Sequence, residues 1–493
     1  MVSRRSFLQT TLGTAPAILS GQSNRPNVLM IAVDDWNDWV GVLGGHPQVQ
    51  TPNMDRLANR GTLFTDAHCA APICNPSRAA LMTGRRPTTS GVYGNTQPWR
   101  LAMPDAVSLS QYFRTQGYYA AGGGKIYHHG QGYNDPRSWD AYFHWNPDAR
   151  KNGWFDGYSF PPDPEPERPV TPMPSVSWRN FDWAPIDVAD EDMPDYKVSG
   201  WAGDFLQTHH DKPFFLAAGI FRPHIPWFVP RKYFDMYPLE EIIVPPVKED
   251  DLADLPPIAR QFALNEPSRH DLMVSTGNWK KAVQSYLACI TFADAMVGRI
   301  LDALDSGPHR DNTIVVLWSD HGYHLGEKWH WHKQALWHRA THVPLMMAGH
   351  GVPAKREGEA GGRCDRPVSL VDVYPTLVDL AGLPRPDGLD GQSLRPLLDN
   401  PDAAWEHPAL TTYYRGNHAL RSEAWSYIRY HDGSEELYDR RSDPHEWVNR
   451  ASDPELANVK TDLARWIPKQ EAPDSPFAAD HRFDPATVTW IPK

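Results

Sequence analysis

The feature that most constrains the fold of this chain is a series of apolar runs, each about as long as a β-strand. Such runs suit central parallel strands, because both faces of those strands are buried. Segments with helix-capping residues, first-turn prolines and terminating glycines separate the runs. This alternation predicts an α/β fold with a mostly parallel central sheet flanked by helices. The predicted strands are residues 27–33, 118–121, 213–220, 313–318 and 343–347.

The character of the chain changes after about residue 405. Short strand-like pieces separated by turn residues replace the long apolar runs, and residues 456–467 show a helical pattern. We interpret this part as a smaller α+β subdomain with an antiparallel sheet. The chain is thus divided into a leader of residues 1–21, a large α/β domain of residues 22–405 and a C-terminal subdomain of residues 406–493.

The leader resembles a twin-arginine export signal, because Arg4-Arg5 precede Phe7-Leu8 and a mildly apolar run over residues 11–19. This run is shorter than the about 20 apolar residues that a membrane span needs, and no other stretch reaches that length. We therefore expect no membrane span and export by the twin-arginine machinery, to the periplasm or the cell exterior. A disordered basic tail is the alternative interpretation.

Composition excludes some classes of protein. The formal net charge of −12 argues against general nucleic-acid binding. The four cysteines lack the CxxC spacing of zinc sites, and four are too few for a disulfide framework in a chain of 493 residues. Cys289 falls on the apolar side of an amphipathic helix predicted for residues 280–304, where it fills the core.

Polar, chemically reactive residues follow four of the predicted strands. In open α/β sheets, the ligand crevice lies at the carboxyl ends of the strands. One such ending usually serves as a cap or a turn, whereas four together predict a single shared site. The residues concerned are Asp34 and Asp35 after the first strand, Lys125 and His128 after the second, His224 after the third, and Asp320 and His321 after the fourth.

The three carboxylates Asp34, Asp35 and Asp320 predict a metal site. Brought together without partners, they would repel one another and raise each other's pKa. A hard divalent cation removes this repulsion, and oxygen ligands suit Ca²⁺ or Mg²⁺. His321 is a candidate nitrogen ligand or a hydrogen-bonding neighbour. The alternative is that these residues only cap loops and turns.

Positive charge near such a metal predicts an anionic substrate group, such as sulfate or phosphate. Lys125, Arg78 and Lys333 are the candidate cations. His128 and His224 are candidates for the general base and the general acid, with His129 a rival for His128.

Cys74 precedes a short helical pattern that contains Pro76 in its first turn and ends at Gly84. A cysteine just before a helix lies next to free backbone N–H groups and the positive end of the helix dipole, which stabilise a thiolate or an anion. Arg78 adds a fixed cation. Taken alone, the stretch also fits an ordinary buried cysteine.

Residues 74–85 resemble the C-x-P-S-R-x-x-L-L-T-G signature of the type I sulfatases, with Met82 in place of the second leucine. The resemblance spans essentially the whole chain after the leader and is greatest to the iduronate 2-sulfatase branch. It implies an alkaline-phosphatase-like α/β fold. The segments that support this branch are residues 124–128, 222–226, 319–322 and 340–345.

The resemblance implies that a formylglycine-generating maturation enzyme oxidises Cys74 to formylglycine (3-oxoalanine). The hydrated aldehyde is a geminal diol. One hydroxyl attacks sulfur and displaces the sugar alcohol, and deprotonation of the other expels the bound sulfate. Ca²⁺ is the metal implied by the family, with Mg²⁺ the less favoured alternative.

The resemblance also implies a role for each candidate residue. Arg78 steadies the nucleophile, Lys125 and Lys333 bind sulfate oxygens, His128 is the base for sulfate release, and His224 protonates the leaving oxygen. The implied metal ligands are Asp34, Asp35, Asp320, His321 and the modified Cys74.

The sequence thus predicts an exported sulfatase that hydrolyses sulfate esters of a carbohydrate containing sulfated uronic acid. Two alternatives remain open. One is a phosphonate or phosphodiester hydrolase on the same scaffold. The other is a non-catalytic protein that binds sulfated glycans, if Cys74 stays unmodified.

Overall fold

The computed structural model of the chain describes residues 25–146, 148, 170, 181–265, 270–353 and 362–493. The predicted leader lies outside the described residues. No helix within the described ranges is both long and apolar enough to span a bilayer.

An eight-stranded sheet forms the centre of the protein, in the order β8-β2-β7-β6-β1-β5-β3-β4. All neighbouring pairs are parallel except those of β7, which is antiparallel to both β2 and β6. The prediction of a mostly parallel α/β sheet is therefore confirmed. The strands are β1 (Asn27–Val33), β2 (Gly61–Phe64), β3 (Tyr119–Gly124), β4 (Ala141–Phe143), β5 (Phe214–Gly219), β6 (Thr313–Ser319), β7 (Leu345–Gly349) and β8 (Gly362–Cys364).

Helices cover both faces of the sheet, and β1 shows why its sequence is apolar throughout. Alternate β1 residues enter two separate hydrophobic cores, one on each face. The main helices are α1 (Pro52–Asn59), α2 (Cys74–Thr83), α3 (Leu109–Thr115), α4 (Pro194–Gln207), α5 (Trp279–Ser306), α6 (Val373–Leu380) and α7 (Ala457–Ala464). Shorter helices are Pro87–Ser90, Trp99–Ala102, Arg231–Phe234, Pro257–Ala263, His270–Ser275, His338–Thr341 and Arg395–Asp399.

Helix α5 lies on one face of the sheet against α4 and α1, and it was the clearest helix in the sequence. Cys289 is fully buried in it, as its position on the apolar side predicted. Helices α2, α3 and α6 contribute to the core on the opposite face. The result is a helix–sheet–helix sandwich that holds the carboxyl ends of β1, β3, β5 and β6 close together.

Strand β2 was not predicted, because Gly61 was interpreted as the end of the preceding helix. A Cβ atom at Gly61 would lie 2.1 Å from the carbonyl oxygen of Met347 on β7. Glycine is therefore needed here for the close approach of two strands. The sequence shows the glycine but not the reason for it.

The C-terminal part contains an antiparallel sheet of four strands, as the sequence predicted. Its strands are β9 (Ala409–Thr412), β10 (His418–Arg421), β11 (Trp425–Arg429) and β12 (Glu435–Asp439), followed by α7. After α7 the chain returns to the large domain, where the backbone N–H groups of Ala472 and Ser475 donate to the carbonyl oxygens of Thr88 and Gly91. The division at residue 405 stays a prediction.

Four two-stranded pairs complete the strand set of the described residues. They are Ala67–His68 with Val368–Ser369, Trp183–Ile186 with Trp227–Pro230, His324–Leu325 with Trp331–His332, and His481–Asp484 with Thr489–Pro492. The pair of Trp183–Ile186 with Trp227–Pro230 was not among the strands predicted from the sequence.

Buried histidines outside the candidate site predict acid sensitivity. His270 accepts a hydrogen bond from Trp331 Nε1 at 3.1 Å, and burial lowers its pKa to about 4. Below the ordinary histidine pKa of about 6.5, the unfolded chain binds a proton that the folded chain excludes, so stability falls as pH falls from 6.5 towards 4. We expect His270→Gln to reduce this loss by about 1 kcal/mol per pH unit.

The measurement is the free energy of unfolding from urea titrations at pH 6.5, 5.5 and 5.0. His209 is exposed, so His209→Gln is the matched control and should retain the wild-type slope. An unchanged slope in His270→Gln would contradict the prediction.

Candidate active site

Cys74 is the first residue of helix α2, with Ile73 as the extended N-cap. The prediction placed it just before the helix. Its position is held by Asn75, whose backbone N–H donates to Asn95 Oδ1 at 2.9 Å. The Asn75 side chain donates to the carbonyl oxygens of Gly94 at 2.9 Å and Gln97 at 2.7 Å. The cysteine therefore occupies a rigid first turn of the helix.

Arg78 joins the ends of two central strands. Its Nε lies 2.8 Å from Asp320 Oδ2, after β6, and a terminal nitrogen lies 3.2 Å from Asp34 Oδ1, after β1. It also donates to the backbone carbonyl of Lys125, after β3. All three side chains in the ion pairs are fully buried. Arg78 thus fixes the relative positions of Asp34 and Asp320.

Two lysines face the sulfur of Cys74. Lys333 Nζ is 3.1 Å from Sγ and 2.6 Å from Asp35 Oδ1. Lys125 Nζ is 3.8 Å from Sγ and forms a short ion pair with Asp34. Two ammonium groups around one nucleophilic position form a site suited to a tetrahedral anion.

His321 points its Nε2 into the same cluster. This nitrogen is 3.3 Å from Cys74 Sγ and 3.4 Å from both Asp35 Oδ1 and Asp320 Oδ2. Nδ1 lies 3.0 Å from the carbonyl oxygen of Gly322, which can only accept, so Nδ1 carries the proton. In the neutral ring, Nε2 then presents its lone pair to the site, which is the arrangement of a metal-ligating histidine.

The remaining two candidate histidines occupy different places. His128 is half-buried beside the Cys74 side chain, and the partial loss of solvent around its ring lowers the pKa of His128. The ring of His129 packs on Phe221 instead, with centroids 5.0 Å apart. His224 lies at the rim, 3.9 Å from Asp35 Oδ2, with 14% of its side chain exposed. The structure therefore favours His128 over His129 for a role at Cys74.

The loop that carries His224 is held by a buried carboxylate. Asp195, in the first turn of α4, accepts hydrogen bonds from the backbone N–H groups of Phe221 at 2.8 Å and Arg222 at 3.0 Å. Arg222 in turn donates to the His224 carbonyl at 3.1 Å. Neither Asp195 nor Arg222 was singled out for this role from the sequence.

The charges of the cluster shift its pKa values strongly. Burial by itself would raise the pKa of the Cys74 thiol, but Lys125, Lys333 and His321 hold that pKa well below its usual range. Burial raises the pKa of Asp320 to about 7. Burial opposes protonation of His321, but Asp320 raises its pKa to about 9. These shifts reflect the excess of anionic groups that the fold brings together in the cluster.

A divalent cation fits the same residues. Asp34 Oδ1 and Asp35 Oδ2 are buried and lack a hydrogen-bond partner among the described residues. Ligand atoms of Asp34, Cys74, Asp320 and His321 lie within 4.8 Å of one another, as do those of Asp34, Asp35, Cys74 and His224. The set is rich in carboxylate oxygens, which suits Ca²⁺ or Mg²⁺. A hydroxyl in place of the thiol at position 74 would suit such a hard ion better.

Two further residues support the site, and neither was a candidate site residue from the sequence. Ser77 Oγ donates to the backbone carbonyl of Asp320 at 2.5 Å. Tyr286, on α5, donates its hydroxyl to the Asp35 carbonyl at 2.7 Å. Asp35 itself has a φ of 60°, a left-handed conformation that is strained for a residue other than glycine. These contacts hold Asp35 in the orientation that the cluster requires.

The family model named Sulfatase matches residues 26–383. A sulfatase of Formosa agariphila is 40% identical over 463 residues, which cover 91% of this chain and 87% of that protein. The chain belongs to the sulfatase family. Like the proteins of that family, it is a sulfuric ester hydrolase, and the predicted resemblance to the type I sulfatases is confirmed.

Two further sulfatases and a second family model are also similar to this sulfatase. Human iduronate 2-sulfatase is 32% identical over 396 residues, with 73% of this chain and 70% of the human protein covered. The choline-sulfatase of Rhizobium meliloti is 29% identical, with coverage of 88% and 83%. A second family model, N-sulphoglucosamine sulphohydrolase, C-terminal, matches residues 326–472.

Solved structures show the same alkaline-phosphatase-like fold. BT4656, solved in complex with its substrate D-glucosamine-2-N, 6-O-disulfate, superimposes with a TM-score of 0.70 at 20% identity, covering 90% of this sulfatase and 97% of BT4656. A phosphonate monoester hydrolase from Silicibacter pomeroyi gives a TM-score of 0.73 at 22% identity, with coverage of 90% and 94%. The predicted fold class is therefore confirmed.

Proposed function

We propose that this sulfatase removes sulfate from a carbohydrate containing sulfated uronic acid, by iduronate-2-sulfatase-like chemistry at a formylglycine formed from Cys74. The proposal rests on the nitrogen groups that surround Cys74 Sγ. Lys333 Nζ lies 3.1 Å from this sulfur and His321 Nε2 lies 3.3 Å from it, with the Lys125 ammonium group beside them. The 32% identity to iduronate 2-sulfatase supports the choice of sugar.

The chain's own residues would handle each step as follows. Lys125 and Lys333 bind the sulfate oxygens, and Arg78 keeps Asp34 and Asp320 in place. One hydroxyl of the hydrated formylglycine, ionised beforehand with its proton lost to water, attacks sulfur while the S–O bond to the sugar breaks. His224 gives a proton to the departing sugar oxygen.

Release of sulfate needs a base at the nucleophile. His128, half-buried beside the side chain at position 74, takes the proton of the second hydroxyl. The electrons of that O–H bond form the aldehyde C=O, and the C–O bond to sulfate breaks. The low pKa that burial imposes on His128 keeps it neutral and able to act as this base.

We propose Ca²⁺ as the metal, held by Asp34, Asp35, Asp320, His321 and the modified residue 74. When bound, the cation supplies fixed positive charge that stabilises the sulfate oxygens and the ionised nucleophile. The oxygen-rich donor set supports Ca²⁺ over a soft metal.

The sequence motifs around Cys74 and in the leader support two protein partners and a location outside the cytoplasm. We propose that a formylglycine-generating enzyme modifies Cys74 in the cytoplasm, and that the twin-arginine machinery then exports the folded protein to the periplasm or the cell exterior. The paired arginines of the leader support this order, because that machinery accepts folded proteins.

Paired kinetics test the proposed activity. We expect a clear preference for an aryl sulfate over the matching aryl phosphodiester, and for 2-O-sulfated iduronate over other sulfated sugars. A preference for the phosphodiester would favour the phosphodiester or phosphonate hydrolase alternative. Mass spectrometry of the peptide that bears Cys74 tests the mechanism, because an unmodified thiol in natively produced protein would favour a non-catalytic glycan-binding role.

Removal of the metal is expected to lower activity at least about tenfold, because the cation compensates buried carboxylates that otherwise repel one another. The measurement is sulfate release after treatment with a chelator and dialysis, followed by addition of Ca²⁺ or Mg²⁺. Recovery with Ca²⁺ supports the assignment. Full recovery of activity with Mg²⁺ alone would instead assign Mg²⁺ as the metal of the site.

His224→Asn is expected to lower kcat about 10²-fold on a sugar sulfate but far less on an aryl sulfate with a good leaving group, since only the sugar oxygen needs a proton. The measurement is kcat on a series of sulfate esters whose leaving groups differ in pKa. His210→Asn, which changes a half-buried histidine three residues after the end of α4, is the control. Equal losses on all substrates would argue against an acid role.

A further inference from the structure

A second group of metal-ligand side chains lies outside the active site. Ligand atoms of Asp38, His338 and His342 lie within 4.8 Å of one another. The two histidines are four residues apart, on and just after the short helix His338–Thr341, and their rings stack with centroids 4.4 Å apart. Histidines at positions i and i+4 of a helix turn share one face, a spacing common in zinc sites.

His342 is oriented as a metal ligand. Its Nε2 lies 2.8 Å from the carbonyl oxygen of Thr65, which can only accept, so Nε2 carries the proton and Nδ1 a lone pair. Nδ1 is buried and has no hydrogen-bond partner among the described residues. It faces Asp38 Oδ2 at 3.7 Å, beyond hydrogen-bond distance. Two lone pairs that face each other in a buried place are stabilised by a cation between them.

The carboxylate of Asp38 has one oxygen free for such a cation. Its Oδ1 pairs with Arg339, which also binds Glu327 at 2.9 Å. Oδ2 is the oxygen that faces His342. The Arg339 contact thus orients the carboxylate. In known metal sites, residues that pair with a metal ligand but do not touch the metal orient that ligand in the same way.

The site is accessible from the surface. His338 and His342 line a cavity of about 290 Å³ together with the acidic residues Asp66, Asp365 and Glu423. An acidic cavity attracts a cation towards these two rings.

We propose that Asp38, His338 and His342 bind a second metal ion, of the class that prefers imidazole ligands, with Zn²⁺ as its representative. Two imidazoles and one carboxylate suit Zn²⁺ better than Ca²⁺, which takes mainly oxygen ligands. This site is separate from the carboxylate-rich site at Cys74 and does not depend on the proposed function.

Calorimetric titration of Zn²⁺ into the full-length protein, held in excess Ca²⁺ to fill the active site, tests the proposal. The expected result is one Zn²⁺ per chain, with Co²⁺ giving visible absorption bands when it replaces Zn²⁺. His338→Gln and Asp38→Asn should each weaken Zn²⁺ binding at least tenfold. His350→Gln, which removes an exposed histidine, should bind as the wild type does.

Either of two results would overturn the proposal. One is wild-type Zn²⁺ affinity in both His338→Gln and Asp38→Asn. The other is loss of Zn²⁺ binding as the Ca²⁺ concentration rises, which would assign the Zn²⁺ to the active site. Because His338 is only half-buried, its glutamine variant is expected to fold, and circular dichroism verifies this before titration.

Discussion

Cys74→Ser is expected to lower kcat by about 10⁴-fold or more, the scale on which loss of a nucleophile acts. Serine keeps one hydroxyl at the start of α2, within reach of Lys125, Lys333 and His321. It lacks the second hydroxyl of a hydrated aldehyde, however, so a sulfate ester formed on it has no route for release. The variant should therefore accumulate sulfated enzyme and stop after one turnover.

Two measurements check this result: steady-state sulfate release, and intact-protein mass after incubation with substrate, which should increase by one SO₃ group. Cys364→Ser is the matched control, because Cys364 is also buried but lies in β8, away from the site. It should keep wild-type kcat. Continued turnover by Cys74→Ser would contradict the formylglycine mechanism.

Lys333→Met is expected to lower kcat/KM by about 10²- to 10³-fold. Removal of one fixed donor to a developing negative charge has this magnitude in other enzymes. The Lys333 ammonium group is 3.1 Å from Cys74 Sγ and 2.6 Å from Asp35 Oδ1, so it would contact both the nucleophile and a sulfate oxygen. The measurement is kcat/KM with the thermal midpoint recorded in parallel.

Lys328→Met is a control with the opposite expected outcome. Lys328 belongs to the same segment and is equally buried, but its ammonium group pairs with Asp251 at 2.7 Å, outside the site. Loss of this partner leaves a buried carboxylate and is expected to cost about 3–5 kcal/mol of stability. The kcat/KM of the folded protein should stay near that of the wild type. If Lys333→Met lost stability and kept its activity, a structural role for Lys333 would replace the catalytic one.

The central sheet and most candidate residues at its strand ends could be predicted from the sequence, because apolar runs and helical periods are local patterns. A run such as Asn27–Val33 is apolar throughout, and both of its faces are buried. Helix α5 shows the 3.6-residue period over its whole length. The expectation that reactive residues after separate parallel strands meet at one edge rests on topology alone, and Asp34, Lys125 and Asp320 do meet there around Arg78.

Other features could not be predicted from the sequence, because they depend on contacts between distant segments. The short strands β2 and β8 have four and three residues, too few for a recognisable period. Tyr286 supports Asp35 from 251 positions away, and nothing in α5 marks it for that role. The histidine–aspartate cluster at Asp38 likewise joins residues of two separate segments.

By itself, the sequence determined the fold class, the family signature around Cys74 and the chemical types present at the strand ends. These follow from local spacing, capping and apolar runs, which a chain carries before it folds. Only the tertiary structure decided which side chains reach Cys74. It brings Lys333 to the Cys74 sulfur across 259 positions and packs the ring of His129 on Phe221. The physical reason is that long-range proximity is set by packing of the whole core, which no local pattern encodes.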